Sequence, residues 1–477
     1  VPLIEATPDT LYYTGSTTKS FVAASILQLI EESVNDTSPL KLTTPLSHLI
    51  DFVTKDDYIT THATLEDALS HRTGMPRHDY SYGGKTATPE DVVRNLRNLP
   101  LTAEIRQTFQ YCNMMFVTLS HVIEKLTGKC LSLYFRENIW GPLGMNSTFL
   151  SIKDAQKAKL KNPLAIVATP YFWNKGTQKY VAEEYIDEPS ISGAGATISS
   201  VLDYARYLRA MMNKDPRILS EASYEELRTP RLYVGSPYGV ANPLKFDSYS
   251  LAWETGMYRD MQVFQHTGSV NGFGAFMAYI PEKNWGVAIM ANTELSSNII
   301  EQILAVDLFD SLAGVPKKRR TNYAEIFKLL LLKKELRLRN SIQTLYPDLP
   351  KERIPPTLPL ESYIGKYYDP GYGTLELKLV NVSSINNPDD MIKSDQVLHV
   401  EVRNRSWEHD VEIEHVNGEH FVVWIHSPLK GQILFTNATS GEFRIGSNGK
   451  VSMFGVVYDP QMGENKIWFR KQAHHSR

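Results

Sequence analysis

The hydrophobic pattern of this 477-residue chain changes character once, across a proline-rich stretch. Up to about residue 312, long apolar stretches of helical spacing are mixed with short strand-like runs. Pro347, Pro350, Pro355, Pro356 and Pro359 then follow within a few turns' length. Proline fixes φ and donates no backbone hydrogen bond, so this stretch reads as a stiff linker. Beyond Ser362 only short alternating runs occur, at 375–380, 397–402, 411–415, 421–425, 432–435, 443–445, 453–457 and 466–469. Turn residues separate many of them, which predicts a small antiparallel barrel. The expected organisation is a mixed domain over 1–315, a helical, Pro-rich linker over 316–360 and a barrel over 361–477. The length suits two domains.

Composition excludes several classes of function. With 50 Lys and Arg against 53 Asp and Glu, nothing points to a nucleic-acid partner. The basic run Lys317–Arg320 reads as a solvated segment. No apolar run approaches the ~20 residues needed to span a bilayer; Leu329–Leu332, the densest aliphatic patch, is flanked by Lys328 and Lys333. The hydrophobic (42%) and charged (22%) fractions are those of a soluble globular protein. The two cysteines, Cys112 and Cys130, bracket a predicted helix running from Asn113 to Leu126 and stopped by Gly128. That puts them roughly 25 Å apart at 1.5 Å per residue, too far for a disulfide. No Cys/His spacing suits a metal, so neither metal nor cofactor is expected. Sequons occur at Asn35, Asn146, Asn381, Asn404 and Asn437, against about three by chance. All five fall in segments read as loops, which tilts toward a secreted protein.

The first chemical signal is Tyr12-Tyr13-Thr14-Gly15-Ser16-Thr17-Thr18-Lys19. A short strand ends at Gly15, and the apolar stretch 21–30 covers more than one helical face, predicting a buried helix. Ser16 then lies at a helix start, where free N–H groups and the dipole favour negative charge. Lys19 follows one turn later on the same face. Three other Ser-x-x-Lys patterns, at Ser38, Ser427 and Ser447, open no buried helix. Taken alone, Ser16 is equally an ordinary N-cap.

Two further patterns occur once each. Tyr111-x-Asn113 opens the helix between the cysteines, and by itself it reads as an N-cap arrangement with a buried tyrosine. His266-x-Gly268 ends a strand-like run from Val263. The segments 274–280 and 285–290, joined at Pro281-Glu282-Lys283-Asn284, read as adjacent antiparallel strands. Helices are predicted over 131–139, 200–212, 298–312 and 323–345. His71, in Ser70-His71-Arg72-Thr73-Gly74, reads as a structural loop histidine that bonds to backbone.

Ser16-x-x-Lys19, Tyr111-x-Asn113 and His266-x-Gly268, in this order, resemble the serine β-lactamase and penicillin-binding-protein superfamily. The similarity is to the branch holding class C β-lactamases, D-aminopeptidases and related esterases. It covers residues 5–312 and extends to Leu69–Pro76, Pro142–Met145 and Asn271–Gly274. Tyr363-Ile364-Gly365-Lys366-Tyr367-Tyr368 with the β-rich tail resembles the lipocalin-like domain of some members.

The resemblance implies an α+β catalytic domain, an antiparallel sheet flanked by helices with a helical subdomain, followed by a small barrel. It implies Ser16 as nucleophile, Lys19 as base and Tyr111 as proton relay. It further implies His266 in the catalytic set, Asn113 and Gly268 on the substrate side, and an oxyanion hole from the N–H groups of Ser16 and Ser269.

Two departures bear on function. His266 stands where many relatives carry Lys, which weakens the case for a β-lactam carboxylate and favours esters, amides or short peptides, including D-amino-acid ones. Members of the family also carry a helix and two strands before the nucleophile, whereas only Val1–Thr14 precede it here, so an upstream segment is expected. The expected activity is a serine hydrolase acting on a small ester, amide or peptide. The alternatives are acyl transfer or transpeptidation from the same acyl-enzyme, a true β-lactamase, and a non-catalytic scaffold.

Overall fold

The apolar stretch after Ser16 forms helix α1, Lys19–Glu32, whose residues from Lys19 to Leu29 are buried. Helix α2, Asn113–Thr127, starts at the Tyr-x-Asn pattern and ends where Gly128 takes φ +67°. That left-handed conformation suits glycine and satisfies the last carbonyls. Cys112 and Cys130 at its two ends are not joined in a disulfide. This computed structural model describes residues 4–187, 189–235, 246–387, 390–432 and 436–473.

The chain forms two compact units. The first comprises Val1–Arg77, Thr86–Phe172 and Val181–Ala324; the second comprises His78–Lys85, Trp173–Tyr180 and Glu325–Arg477.

In the first unit β1, Tyr12–Tyr13, pairs antiparallel with β2, Ile198–Ser199. The main sheet is built from β3 (Leu232–Tyr233), β4 (Ser248–Tyr249), β5 (Glu254–Tyr258), β6 (Met261–Val270), β7 (Phe273–Ile280) and β8 (Trp285–Ala291). These six strands lie in the order β8-β7-β6-β5-β4-β3 and are antiparallel throughout. Every residue of β7 is buried, because helices cover both faces of the sheet. Phe276, Ala278 and Ile280 pack with Ala305, Val306 and Phe309 of helix α4, Ser296–Leu312. On the opposite face, helix α3 (Val201–Asn213) brings Leu208 against Gly286.

In the second unit, α5 (Tyr323–Arg339) is continued by a short helix, Ser341–Leu345. The barrel is closed and up-and-down: β9 (Gly365–Asp369), β10 (Gly373–Asn381), β11 (Gln396–Val402), β12 (His409–Asn417), β13 (His420–His426), β14 (Asn437–Ile445), β15 (Val451–Val456) and β16 (Ile467–Lys471). Tyr367 opposite Lys471 and Tyr368 opposite Arg470 complete the ring of strands. Phe443 meets Tyr363, Phe421 and Phe454 at ring separations of 4.9, 5.0 and 4.6 Å, so side chains pack the barrel.

The sequence reading missed β9. Only Tyr367 in it is buried, so no alternation is visible. The strand expected at 432–435 falls largely on residues outside those described. Two sequons expected in loops are strand ends instead: Asn381 closes β10 and Asn437 opens β14. Among the described residues, no helix is long and apolar enough to cross a membrane.

Candidate active site

The segment carrying Ser16 is a 3-10 turn, Gly15–Thr18, that leads into α1. Its threonines are buried and tie the turn down with their hydroxyls. Thr17 Oγ1 donates to the Thr14 carbonyl at 2.9 Å, and Thr18 Oγ1 donates to the Gly15 carbonyl at 2.7 Å. The Thr18 hydroxyl in turn accepts the Thr197 N–H at 3.1 Å. Tyr204 reaches both Thr14 Oγ1 and Thr17 Oγ1 at 2.7 Å. A turn so fully hydrogen-bonded holds its serine in one orientation.

Strand β6 presses its backbone against this turn, and two glycines permit the approach. A Cβ on Gly15, which has φ +51°, would lie 2.6 Å from the Ser269 nitrogen. A Cβ on Gly268 would lie 1.9 Å from the Thr14 carbonyl oxygen and 3.3 Å from the Ser16 nitrogen. Ser16, Gly268 and Ser269 therefore meet at one point, backbone to backbone.

Lys19 is fully buried. Its Nζ lies 3.0 Å from Ser16 Oγ, 2.7 Å from Asn113 Oδ1 and 2.7 Å from the Ala194 carbonyl. The last two oxygens can only accept, so they take N–H groups of the amine. Ser16 Oγ can accept or donate, and with a neutral amine it can donate its proton to the lone pair. The Tyr111 ring lies 4.9 Å from the same nitrogen, and the Arg77 guanidinium lies 5.0 Å from that ring.

His266 is buried, and its ring lies 6.3 Å from that of Tyr111. Nδ1 donates to the Thr267 carbonyl at 2.6 Å, which leaves Nε2 to accept from the Tyr249 hydroxyl at 3.1 Å. Burial, with the Lys19 charge second, lowers its pKa to about 3. His266 is thus a neutral imidazole with both nitrogens engaged. His71 accepts a backbone N–H, that of Cys112, through Nδ1 at 3.0 Å.

The arrangement has a buried floor and a more open mouth. Lys19, His71 and His266 are buried, whereas Ser16, Tyr111 and Asn113 are half-exposed and Ser269 is exposed. Two participants escaped the sequence reading. Tyr249 lies on a two-residue strand, too short for periodicity to reveal. Ala194 contributes a carbonyl, for which no side-chain signature exists. The small residues of Ser192-Gly193-Ala194-Gly195 were the available signal, since a Cβ on Gly193 would come 2.5 Å from Ser120 Cβ.

The family model described as Beta-lactamase matches residues 4–306. The chain belongs to the beta-lactamase family. A second model, described as Domain of unknown function (DUF3471), matches residues 349–471, the region of the barrel. Among curated proteins, this beta-lactamase-family chain is 34% identical to an unguisins hydrolase of Aspergillus campestris, over 99% of this chain and 85% of that protein. It is 35% identical to an unguisins hydrolase of Aspergillus violaceofuscus, over 97% and 82% respectively. Among solved structures it is similar to the octameric penicillin-binding protein homologue from Pyrococcus abyssi, with TM-score 0.58 and 22% identity, covering 98% of this chain and 89% of that one. The chain is a beta-lactamase-family hydrolase with a C-terminal closed barrel.

Proposed function

We propose that this hydrolase cleaves an amide or ester through an acyl-enzyme on Ser16. The observation that carries this reading is the buried Lys19 amine 3.0 Å from the Ser16 hydroxyl. Ser16 Oγ attacks the carbonyl carbon and passes its proton to Lys19 when the amine is in its deprotonated form. Negative charge on the former carbonyl oxygen is met by the N–H groups of Ser16 and Ser269, which the Gly15–Gly268 contact draws together. Tyr111 completes the proton path from Lys19 to the departing amine or alcohol. Water then attacks the acyl-serine by the reverse sequence, releasing the acid and restoring the Ser16 hydroxyl.

The neutral state of His266 and its bonds to Tyr249 and Thr267 favour substrates that need no carboxylate anchor at this position. Amides and esters are therefore preferred over penicillins and cephalosporins. Hydrolysis is preferred over acyl transfer because the two Aspergillus relatives carry the name of hydrolases.

A panel of short-chain aryl esters, D-amino-acid amides and a chromogenic cephalosporin, run on wild type and Ser16→Ala, tests the reading. Turnover of an ester or amide that is lost in Ser16→Ala is expected. Ester turnover persisting in Ser16→Ala would overturn it, and strong cephalosporin turnover would overturn the substrate preference drawn from His266.

A further inference from the structure

One residue, His71, brackets Tyr111 from both sides. Its backbone carbonyl accepts the N–H of Gln110 at 2.9 Å, and its Nδ1 accepts the N–H of Cys112 at 3.0 Å. These N–H groups belong to the residues on either side of Tyr111. The imidazole also lies against the phenol, with ring centroids 4.3 Å apart and planes 36° apart. Peptide, ring and peptide are thus fixed by a single side chain and its carbonyl.

The way α2 begins explains why such a clamp is needed. Its N-cap, Cys112, makes no side-chain cap. In a capping box the third helical residue is Glu or Gln and accepts the N-cap N–H, but here that position is Met115. The acceptor comes instead from His71, 41 positions earlier in the chain. Asn113, the first helical residue, sends its Oδ1 to Lys19, so the same contact bears on both members of the Tyr-x-Asn pair.

His71 reaches both amides by adopting φ +55°, a conformation disfavoured for a residue with a Cβ. Neighbouring contacts hold the strained loop in place. Arg72 Nε and Arg106 Nη2 reach the buried Asp67 carboxylate at 2.6 and 2.8 Å, and the Arg106 N–H donates to the Arg72 carbonyl at 2.7 Å. Phe116 and Tyr249 enclose the ring, each 5.1 Å away, and Phe109 stands at 5.7 Å. Burial first, then the charge of Lys19, holds the imidazole well below its ordinary pKa. The ring thus stays neutral, with Nδ1 free to accept and the proton on Nε2. Among the described residues, buried Nε2 has no hydrogen-bond partner. Nδ1 is therefore the ring atom that makes the polar contact.

We infer that His71 is a positioning residue for the acyl-enzyme chemistry, a long-range cap that sets the Tyr111 phenol and the Asn113 amide against Lys19. This rests on the proposed roles of Ser16, Lys19 and Tyr111.

The test compares His71→Phe, which keeps an aromatic face and removes the acceptor, in wild-type and Tyr111→Phe backgrounds. The readouts are kcat and KM for a short-chain 4-nitrophenyl ester and the melting temperature. In the wild-type background kcat should fall about 10- to 100-fold, with KM within about twofold. In the Tyr111→Phe background the same substitution should cost at least about fivefold less, because the phenol is gone and only the Asn113 contact remains to be disturbed. If His71→Phe does not fold, His71→Asn, which restores an acceptor without the ring, takes its place, with an intermediate loss expected. A wild-type kcat in the His71 variant beside a slow Tyr111→Phe would overturn the inference alone, as would an equal loss in both backgrounds. A wild-type kcat in Tyr111→Phe would overturn the reading beneath it and the inference with it.

Discussion

The Nζ of Lys19 stands 3.0 Å from the Oγ of Ser16, and the lysine has no solvent exposure. An amine in that position is poised to take a proton. Replacing Lys19 with Ala should lower kcat by ~10²–10⁴ while leaving the fold intact. Lys19→Arg should not restore activity, because a guanidinium does not deprotonate in proteins. Steady-state rates of the two variants decide the point, and a Lys19→Arg enzyme of wild-type speed would contradict it.

The contact between β6 and the Gly15–Thr18 turn leaves no room for a methyl group. Gly268→Ala puts a Cβ 1.9 Å from the Thr14 carbonyl oxygen. Overpacking of this kind costs about 1–3 kcal/mol and should also displace the Ser269 N–H. Gly128→Ala provides a control, since φ there is +67° and nothing lies within 4 Å. It should cost only the conformational term, about 1–2 kcal/mol, with activity retained. Urea midpoints and kcat for both variants separate the clash from the conformational effect.

What the sequence made legible depended on how local each relationship is. Ser16 and Lys19 are three residues apart at a helix start, so spacing alone juxtaposes them. Tyr111-x-Asn113 and His266-x-Gly268 could be singled out because each occurs once, but no local rule says they meet. Their meeting depends on α2 and β6 approaching the Gly15–Thr18 turn. Relationships made by backbone were invisible. The Ala194 carbonyl and the paired amides held by His71 have no side-chain code, and His71 makes its double contact from a backbone conformation with φ +55°. The barrel was legible as a set of alternating runs, yet β9 was missed because four of its five residues are not buried.

His266 makes acid stability testable. Its folded pKa, lowered to about 3, lies below the ordinary value near 6.5. Between those values the unfolded chain holds a proton that the folded one does not, so stability rises with pH through this window. The contribution is about 1.4 kcal/mol per pH unit. Thermal unfolding of His266→Gln should therefore show a smaller difference between pH 7 and pH 5 than wild type. An unchanged difference would contradict the buried neutral imidazole.

The barrel should respond to pH in the opposite sense. The Glu412 carboxylate is fully buried and accepts from His399 Nδ1 at 3.0 Å and His426 Nε2 at 2.5 Å. Burial works against a charged His426, but the bond to Glu412 outweighs it and raises the pKa. This stabilisation is complete below about pH 6.5 and is lost as pH climbs through the raised value. Hydrogen-exchange protection of β12 and β13, corrected for intrinsic rates, should fall as pH rises above about 6.5. Glu412→Gln should weaken protection at pH 6 and flatten the dependence.

The most direct test is the mass of the protein caught in mid-reaction. Rapid acid quench during turnover of a slowly deacylated ester, followed by peptide mass spectrometry, locates any covalent intermediate. An acyl group on the peptide carrying Ser16, absent from Ser16→Ala, is the predicted result. Acylation at another residue, or turnover by Ser16→Ala at the wild-type rate, would contradict it.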